Sequence, residues 1–310
     1  MSAPHAGITG IEAIVYGIDR TPEAFARARQ FYSDWGLTLV SEAPLQQTWE
    51  TLTGAQVIVR PMDDPTLGPA IEAGPTLREL VWSVPAGSPL AGSATQDPHG
   101  LCTRFEVTRK RAVAVQGSPS NPWGRPQRID AASPVYERAT PVDIGHVVLF
   151  TDCLAEAVAF YLALGFVLSD QYPGRGVFLR CAPEGGHHNL FLLQVPGKAR
   201  GLNHVAFAVR DIHEVFGGGL QMSRCGWKTQ LGPGRHPISS AYFWYFDNPC
   251  GGLIEYNADE DHLTAAWQPR DFEPGPTVFA EWAVDGGLDG HTRRQPKVQA
   301  GGAFLTEKRA

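Results

Sequence analysis

The stretch EAFARARQFYSDWG, residues 23–36, has a near copy at residues 152–165, which read DCLAEAVAFYLALG. In both stretches, apolar residues recur at helical spacing and a glycine ends the pattern. The Phe-Tyr pair and the final glycine lie 129 residues apart in the two copies (160 − 31 and 165 − 36). This constant offset indicates that the chain contains two copies of one structural unit.

Extended runs flank each copy of this predicted helix. GIEAIVYGI (10–18) precedes the first copy, and DIGHVVLF (143–150) precedes the second. Farther along, TLRELVWSV (76–84) resembles GLNHVAFAV (201–209). These runs are rich in β-branched and aromatic residues, which is typical of strands. The pattern predicts an α+β fold that is built twice from the same strand–helix–strand unit.

Composition divides the chain into four predicted segments. Residues 1–110 hold the first copy, and residues 143–285 hold the second. Residues 111–142 are rich in proline, serine and glycine and lack a clear period, which is typical of a linker. Residues 286–310 also lack an apolar period, so we expect a mobile tail there.

Charge and composition narrow the partners and the cell compartment. The 310 residues carry a formal net charge of -6 and no long basic run, which argues against nucleic acid and anionic membranes as partners. No apolar stretch approaches the roughly 18 residues of a membrane helix, and no secretory signal pattern is visible. The five cysteines form no CxxC pair, so neither a disulfide framework nor a thiolate zinc site is expected. We therefore expect a cytoplasmic protein.

Three titratable residues interrupt apolar strands of the second copy: His146 in GHVVLF, His204 in GLNHVAFAV and Glu255 in LIEYN. Side chains alternate between the two faces of a strand, so His204 lies on the face opposite Val205 and Phe207. A single strand histidine is usually a hydrogen-bonded core residue. A carboxylate in an apolar strand, however, requires a partner.

The first copy carries a different set at the aligned positions, namely Glu12, Glu79 and Arg104. We therefore expect the two acids and the base of the first copy to form an internal ion pair. Two imidazoles and one carboxylate, by contrast, are the ligands of the facial triad in non-haem Fe(II) oxygenases, which leaves open coordination positions. The second copy is therefore predicted to assemble a metal site from three separate strands.

The double repeat and the motifs GHVVLF, NHVAFAV and GGLIEYN resemble the two-domain type I extradiol ring-cleavage dioxygenases of the vicinal-oxygen-chelate superfamily. The resemblance covers residues of about 8–285. It implies that each domain consists of two βαβββ modules whose sheets curl into a half-barrel. It also implies that His146, His204 and Glu255 hold Fe(II), with Mn(II) as the alternative, and that the N-terminal domain is metal-free.

Three further site residues follow from the resemblance. GGHHNLFLLQ resembles the family's His-His strand, whose second histidine, here His188, acts as the acid–base catalyst. His187 is the alternative for that role. GPGRHPISSAYFWYFDNPCGG (232–252) resembles the segment that carries a further histidine and a tyrosine, here His236 and Tyr245. These two residues are expected to hydrogen-bond the substrate, although PISSAYFW departs from the family's pattern.

The function implied by the resemblance is that of an oxidoreductase that inserts both atoms of O2 into a catechol-type diol next to its hydroxyl pair. Its partners would be the catechol and O2, and a homo-oligomer is expected, because family members often form one. One alternative is a non-redox, metal-dependent glyoxalase-like isomerase or thiol transferase of the same superfamily. Another is a metal-free binding protein on the same fold. Zn(II) or Ni(II) in the site would favour the isomerase or transferase.

Overall fold

The computed structural model describes residues 7–274 and 276–286, which form two large sheets with helices packed on them. The elements of the first half are β1 (Gly10–Ile18), α1 (Pro22–Trp35), β2 (Thr38–Ala43), β3 (Gln46–Glu50), β4 (Gln56–Pro61), β5 (Thr76–Val84), β6 (Ala94–Gln96) and β7 (Cys102–Val107). The elements of the second half are β8 (Asp143–Phe150), α2 (Leu154–Ala163), β9 (Val167–Tyr172), β10 (Gly176–Arg180), β11 (Gly185–Gly186), β12 (Leu190–Leu193), β13 (Gly201–Ala208), α3 (Ile212–Arg224), β14 (Thr229–Arg235), β15 (Tyr242–Asp247), β16 (Leu253–Ala258), β17 (His262–Leu263), β18 (Arg270–Asp271), α4 (Pro276–Phe279) and β19 (Trp282–Gly286).

Strand order shows the repeat directly. The first sheet runs β2-β3-β4-β1-β5-β7-β6, and the second runs β18-β9-β10-β12-β8-β13-β16-β15-β14-β19. In each sheet, the first strands of the two modules pair antiparallel with each other, β1 with β5 in the first sheet and β8 with β13 in the second. The predicted α+β class is confirmed, and three of the four modules in the described residues show the predicted βαβββ order.

One module differs from the predicted unit. Between β5 and β6 the chain forms no helix, so the second module of the first half consists of three strands. The connecting residues 85–93, PAGSPLAGS, carry two prolines and two glycines in nine positions. Proline and glycine both disfavour a helix interior, and this segment is also too short to span a sheet as a helix. The prediction of a helix in every module is therefore wrong here.

The quoted stretch forms α1 for local reasons that its sequence contains. Thr21 caps the helix by accepting a hydrogen bond from the backbone N–H of Ala24, and Pro22 follows in the first turn. Gly36 ends it with φ of 97°, the left-handed conformation that favours glycine. A Cβ at this position would also come within 2.2 Å of the carbonyl oxygen of Ala139.

The two halves share one hydrophobic core. Trp35 of α1 stacks on Tyr256 of β16, with ring centroids 3.6 Å apart, and the Tyr256 hydroxyl donates to the Trp35 carbonyl at 2.8 Å. Trp82 of β5 meets Phe166 edge to face at 4.9 Å. Large aromatic side chains contribute much of the energy of such interfaces. The second sheet is therefore held against the first half by aromatic packing.

The segment after residue 258 adds structure to both edges of the second sheet. β18 pairs with β9, and β19 pairs with β14. Residues 108–142 contain no helix or strand and are mostly exposed. The predicted tail lies outside the described residues except for Gly286, which ends β19. Within the described part of the chain, no helix is long and apolar enough to cross a membrane.

Candidate metal centre

Three adjacent strands bring the predicted ligands together. In the sheet register, His146 of β8 is opposite Ala206 of β13, and Ala206 is opposite Glu255 of β16. His204 lies two residues before Ala206, so it projects from the same face of the sheet. Three residues that are distant in the sequence thereby meet on one face of three neighbouring strands.

The ligand atoms form a nearly equilateral triangle. His146 Nε2 and His204 Nε2 lie 3.2 Å and 3.1 Å from Glu255 Oε2, and 3.2 Å from each other. Ligands that occupy one face of an octahedron around a single ion lie roughly 3 Å apart, because bonds from such metals to nitrogen and oxygen are about 2.1 Å long. All three residues are buried. The spacing therefore fits facial coordination of one ion.

Hydrogen bonding outside the triangle supports the same conclusion. Glu255 Oε2 is buried and has no hydrogen bond of acceptable geometry, although two imidazole nitrogens are adjacent. His204 Nδ1 donates to Asn203 Oδ1 at 2.7 Å, which leaves its Nε2 as an acceptor. The amide of Asn257 donates to Glu255 Oε1 at 3.4 Å. Lone pairs of Glu255 Oε2 and His204 Nε2 therefore point into the triangle, and a divalent cation would satisfy them.

Protonation states also suit a metal. Burial raises the pKa of Glu255, but the imidazoles of His146 and His204 outweigh it and hold that pKa well below its usual range. Burial lowers the pKa of His204, although Glu255 opposes that effect. One anionic carboxylate and neutral imidazoles are the forms that bind metal.

His188 lies beside this triangle. Its ring is stacked on that of His146 with centroids 4.0 Å apart, and Phe178 meets it edge to face at 5.1 Å. Burial, reinforced by His146 and His187, lowers the pKa of His188 well below its usual value. His187 and His188 lie in the loop before β12, so the prediction that they form part of a strand is wrong.

Tyr245 and His236 form a hydrogen-bonded pair next to His204 of the triangle. Tyr245 of β15 is directly opposite Glu255 in the sheet. His236 Nδ1 donates to the carbonyl of Phe279 at 2.7 Å, so its Nε2 accepts from the Tyr245 hydroxyl at 3.0 Å. Burial lowers the pKa of His236 to about 4. No sequence pattern pointed to Phe279, whose helix α4 lies beyond the recognisable repeat.

Glu260 is a neighbour that the sequence did not reveal. Its Oε1 lies 3.1 Å from His188 Nδ1, and ligand atoms of Glu260, His188 and His146 all lie within 4.8 Å of one another. Burial raises the pKa of Glu260 to about 7. Its position in the acidic run Asp-Glu-Asp, residues 259–261, is typical of a solvated loop, which is why it did not stand out.

The equivalent place in the first half is built differently from the prediction. His146, Ala206 and Glu255 are paired across β8, β13 and β16. The corresponding residues paired across β1, β5 and β7 are Ala13, Val81 and Arg104. Glu12 lies instead in a β-bulge, where the register shifts between residues 11 and 13.

The ion pairs of the first half clarify what replaced the ligands. Arg104 Nη1 lies 3.0 Å from Glu79 Oε2, so the predicted internal ion pair is confirmed for these two residues. Glu12 is bound elsewhere, by the Ser83 hydroxyl at 2.8 Å and by Arg109 Nε at 3.2 Å. Assigning Glu12 as the counterpart of His146 is therefore wrong by one residue.

Comparisons with known proteins agree with this description. Residues 143–256 match the family model of the Glyoxalase/Bleomycin resistance protein/Dioxygenase superfamily. The chain is 36% identical over 194 residues to Metapyrocatechase 2 of Cupriavidus necator, a match that covers 61% of this chain. The same match covers 59% of that relative, which is less than two thirds of its length.

Two solved structures have the same fold over nearly the whole chain. One is the Mn(II)-bound glyoxalase from Novosphingobium aromaticivorans, with a TM-score of 0.69, 22% identity and coverage of 95% of this chain and 96% of that one. The other is homoprotocatechuate 2,3-dioxygenase from Arthrobacter globiformis, with a TM-score of 0.67, 17% identity and coverage of 93% and 94%. The predicted resemblance is confirmed in sequence by the curated relative and in fold by these structures. The chain therefore has the vicinal-oxygen-chelate fold of these structures, and its residues 143–256 are similar to the glyoxalase, bleomycin resistance protein and dioxygenase superfamily.

Proposed function

We propose that this chain is an extradiol ring-cleavage dioxygenase, which inserts both atoms of O2 into a catechol-type diol next to the hydroxyl pair. The observation that carries the proposal is the triangle of His146, His204 and Glu255, with separations of 3.1 to 3.2 Å, flanked by His188 and Tyr245. The names of two relatives, a metapyrocatechase and a homoprotocatechuate dioxygenase, support the same reaction class.

We propose Fe(II) as the ion held by His146, His204 and Glu255. Two imidazoles and one carboxylate are the ligands of non-haem Fe(II) oxygenases, and Mn(II) suits similar ligands. When bound, the ion would supply a Lewis acid with open positions where a diol and O2 can meet. The name of the Mn(II)-bound glyoxalase keeps Mn(II) as the alternative.

The flanking residues have distinct proposed roles. His188 is buried with a lowered pKa, so it is neutral near pH 7 and can accept a proton from a phenolic hydroxyl. The Tyr245 hydroxyl donates to His236 and keeps lone pairs for a substrate hydroxyl. If the hydroxyl turns away from His236, it can donate to a substrate oxygen instead. His236 thus controls how the Tyr245 hydroxyl is directed.

An apolar cluster beside the triangle suits an aromatic ring. Val148, Tyr172, Phe178, Phe191 and Ile238 form a buried cluster on the face of the sheet that carries the ligands. Phe178 and Phe191 stack with centroids 3.9 Å apart, and Phe178 contacts the His188 ring. Aromatic walls of this kind bind planar apolar groups. We therefore propose catechols as the substrate class.

Oxygen consumption tests the proposed function. Anaerobically prepared protein loaded with Fe(II) should consume O2 and form a yellow product with at least one of catechol, alkylcatechols, dihydroxybiphenyl and carboxylated catechols. Glu255→Gln should retain little iron, whereas Glu79→Gln, at the position equivalent to His204 in the first half, should retain a full complement. A protein that binds Fe(II) but consumes no O2 with any diol would refute the proposal.

The second candidate is a glyoxalase-like isomerase or thiol transferase. The fold likeness to the Mn(II)-bound glyoxalase, with a TM-score of 0.69, is the observation that favours it. Such an enzyme needs no redox-active ion and would consume no O2. Zn(II) or Ni(II) in the purified protein, identified by metal analysis, would favour this candidate over the dioxygenase.

A further inference from the structure

A buried carboxylate lies behind the proposed acid–base histidine. Asp170 of β9 has no exposed surface, and its Oδ2 lies 2.9 Å from His187 Nε2. Arg270 binds the same carboxylate through Nη2 at 2.6 Å and through its backbone N–H at 2.8 Å. A buried charge is tolerated only when it is paired and hydrogen-bonded in this way. Neither Asp170 nor Arg270 contacts the metal triangle directly.

The hydrogen bonds continue from Asp170 to His188. His187 Nδ1 lies 3.2 Å from His188 Nδ1, and both atoms are buried. The carboxylate can only accept, so His187 must carry its proton on Nε2. In a neutral imidazole, Nδ1 is then an acceptor, and the contact with His188 requires a proton on His188 Nδ1. The remaining ring nitrogen, His188 Nε2, therefore has a free lone pair.

The charge state of Asp170 is consistent with this assignment. Burial raises the pKa of Asp170, but hydrogen bonds from His187 and Arg270 outweigh it and lower that pKa below its usual value. The group therefore remains an acceptor at neutral pH.

We propose that Arg270, Asp170 and His187 form a positioning relay that holds His188 in the tautomer whose Nε2 can accept a proton. The relay rests on the proposed function, in which His188 is the base. Arg270 fixes the carboxylate, the carboxylate fixes the His187 proton, and His187 fixes the His188 proton. A base in the wrong tautomer cannot accept the substrate proton, so the relay determines activity without touching substrate.

Glu260 is the rival determinant of this tautomer. Its Oε1 lies 3.1 Å from His188 Nδ1, the same atom that His187 contacts. As a carboxylate it would accept and support the same tautomer. As a carboxylic acid it would donate and impose the opposite one. Separate variants of Asp170 and Glu260 therefore distinguish the relay from this neighbour.

Nuclear magnetic resonance of metal-free protein with labelled histidine imidazoles tests the relay without relying on activity. Long-range proton–nitrogen correlations report which ring nitrogen carries the proton, and His187→Gln and His188→Gln assign the signals. We expect Nε2–H for His187 and Nδ1–H for His188. In Asp170→Asn, the amide can donate to His187 Nε2, so that His187 carries its proton on Nδ1. That proton would be donated to His188 Nδ1, which should shift His188 toward the Nε2–H tautomer. Glu260→Gln should leave the His188 tautomer unchanged.

The activity assay adds a second readout. With Fe(II) bound, Asp170→Asn should retain its iron yet lower kcat by on the order of 10- to 100-fold, the usual effect of disturbing such outer partners. If that variant fails to fold, Arg270→Gln, whose side chain is 42% exposed, should give a smaller loss of the same kind. A wild-type His188 that carries its proton on Nε2 would refute the relay. A His188 tautomer that changes in Glu260→Gln but not in Asp170→Asn would also refute it. Failure of the wild type to consume O2 would refute the proposed function and leave the tautomer measurement valid.

Discussion

Ala206 shows how a single small side chain makes room for the proposed site. It lies between His146 and Glu255 in the row of paired residues across β8, β13 and β16, and it is fully buried. Its methyl group leaves the space above β13 to the flanking side chains. A larger residue at this position would separate His146 from Glu255.

Replacing Ala206 with valine should therefore abolish metal binding but leave the protein folded. Overpacking of this kind costs about 1–3 kcal/mol of stability, which a domain usually survives. Metal content by mass spectrometry and the thermal midpoint would be measured together. Ala208→Val, two residues farther along the same face, is the matched control and should bind metal normally. Full metal content in Ala206→Val would contradict the proposed geometry.

The sequence pointed to the three proposed ligands because residue type and repeat position coincided. It could not reveal Asp170, because alternation along a strand predicts a face and says nothing about partners in other segments. Glu260 lies in a loop, where its acidic neighbours are typical of a solvated segment. Glu12 was misplaced for a related reason. One extra residue in a bulge reverses the alternation that follows it, and no local motif marked the bulge.

At the scale of elements, the two halves repeat even their irregularities. β1 has a register shift at Glu12, and β8 has one at Gly145, the equivalent residue. The start and end of α1 were predictable because the N-cap threonine and the terminal glycine act locally. The edge strands β18 and β19 were not, because their formation depends on packing between distant segments. The missing helix after β5 has a local cause in the prolines and glycines of residues 85–93, which the prediction from the repeat did not take into account.

The Asp170–Arg270 ion pair joins edge strand β18 to β9 and should make stability depend on pH. Asp170 has a lower pKa when folded than the usual 3.8, so its contribution is complete above about pH 5. That contribution is lost as the pH falls through the folded-state pKa. We expect Asp170→Asn to be less stable than the wild type by about 1–3 kcal/mol at pH 7.

Urea unfolding of both proteins at several pH values checks this expectation. The stability difference between them should shrink as the pH falls from 6 to about 3, because the Asp170 carboxylate then takes up a proton more readily in the unfolded chain than in the folded protein. A difference that stays constant over this range would show that Asp170 does not stabilise the fold as a charged group.

At the scale of the whole molecule, the shared core links the two halves. The repeat predicted that each half has the same architecture. It could not predict that Trp35 of one half would stack on Tyr256 of the other, because self-similarity describes a unit and not its packing against a neighbour. Because the second module of the first half lacks a helix, the described residues contain three helices of eight or more residues, one in each of the other modules.

Trp35→Ala should destabilise the protein by about 3–5 kcal/mol, the usual cost of emptying a buried aromatic site. Both halves should also unfold in one transition, since they share that core. Fluorescence and circular dichroism during denaturation would report on tertiary and secondary structure. Trp123→Ala, which removes a fully exposed side chain, is the control and should be neutral. Two separate transitions in the wild type would contradict the shared core.

The most direct test of the central claim is to follow the oxygen atoms. Fe(II)-loaded protein would be mixed with a diol that supports O2 uptake in an atmosphere of isotopically heavy oxygen, and the products analysed by mass spectrometry. We expect a ring-opened product that contains both atoms of one O2 molecule. An unopened ring, or a product that takes up only one heavy atom without exchange with water, would contradict it.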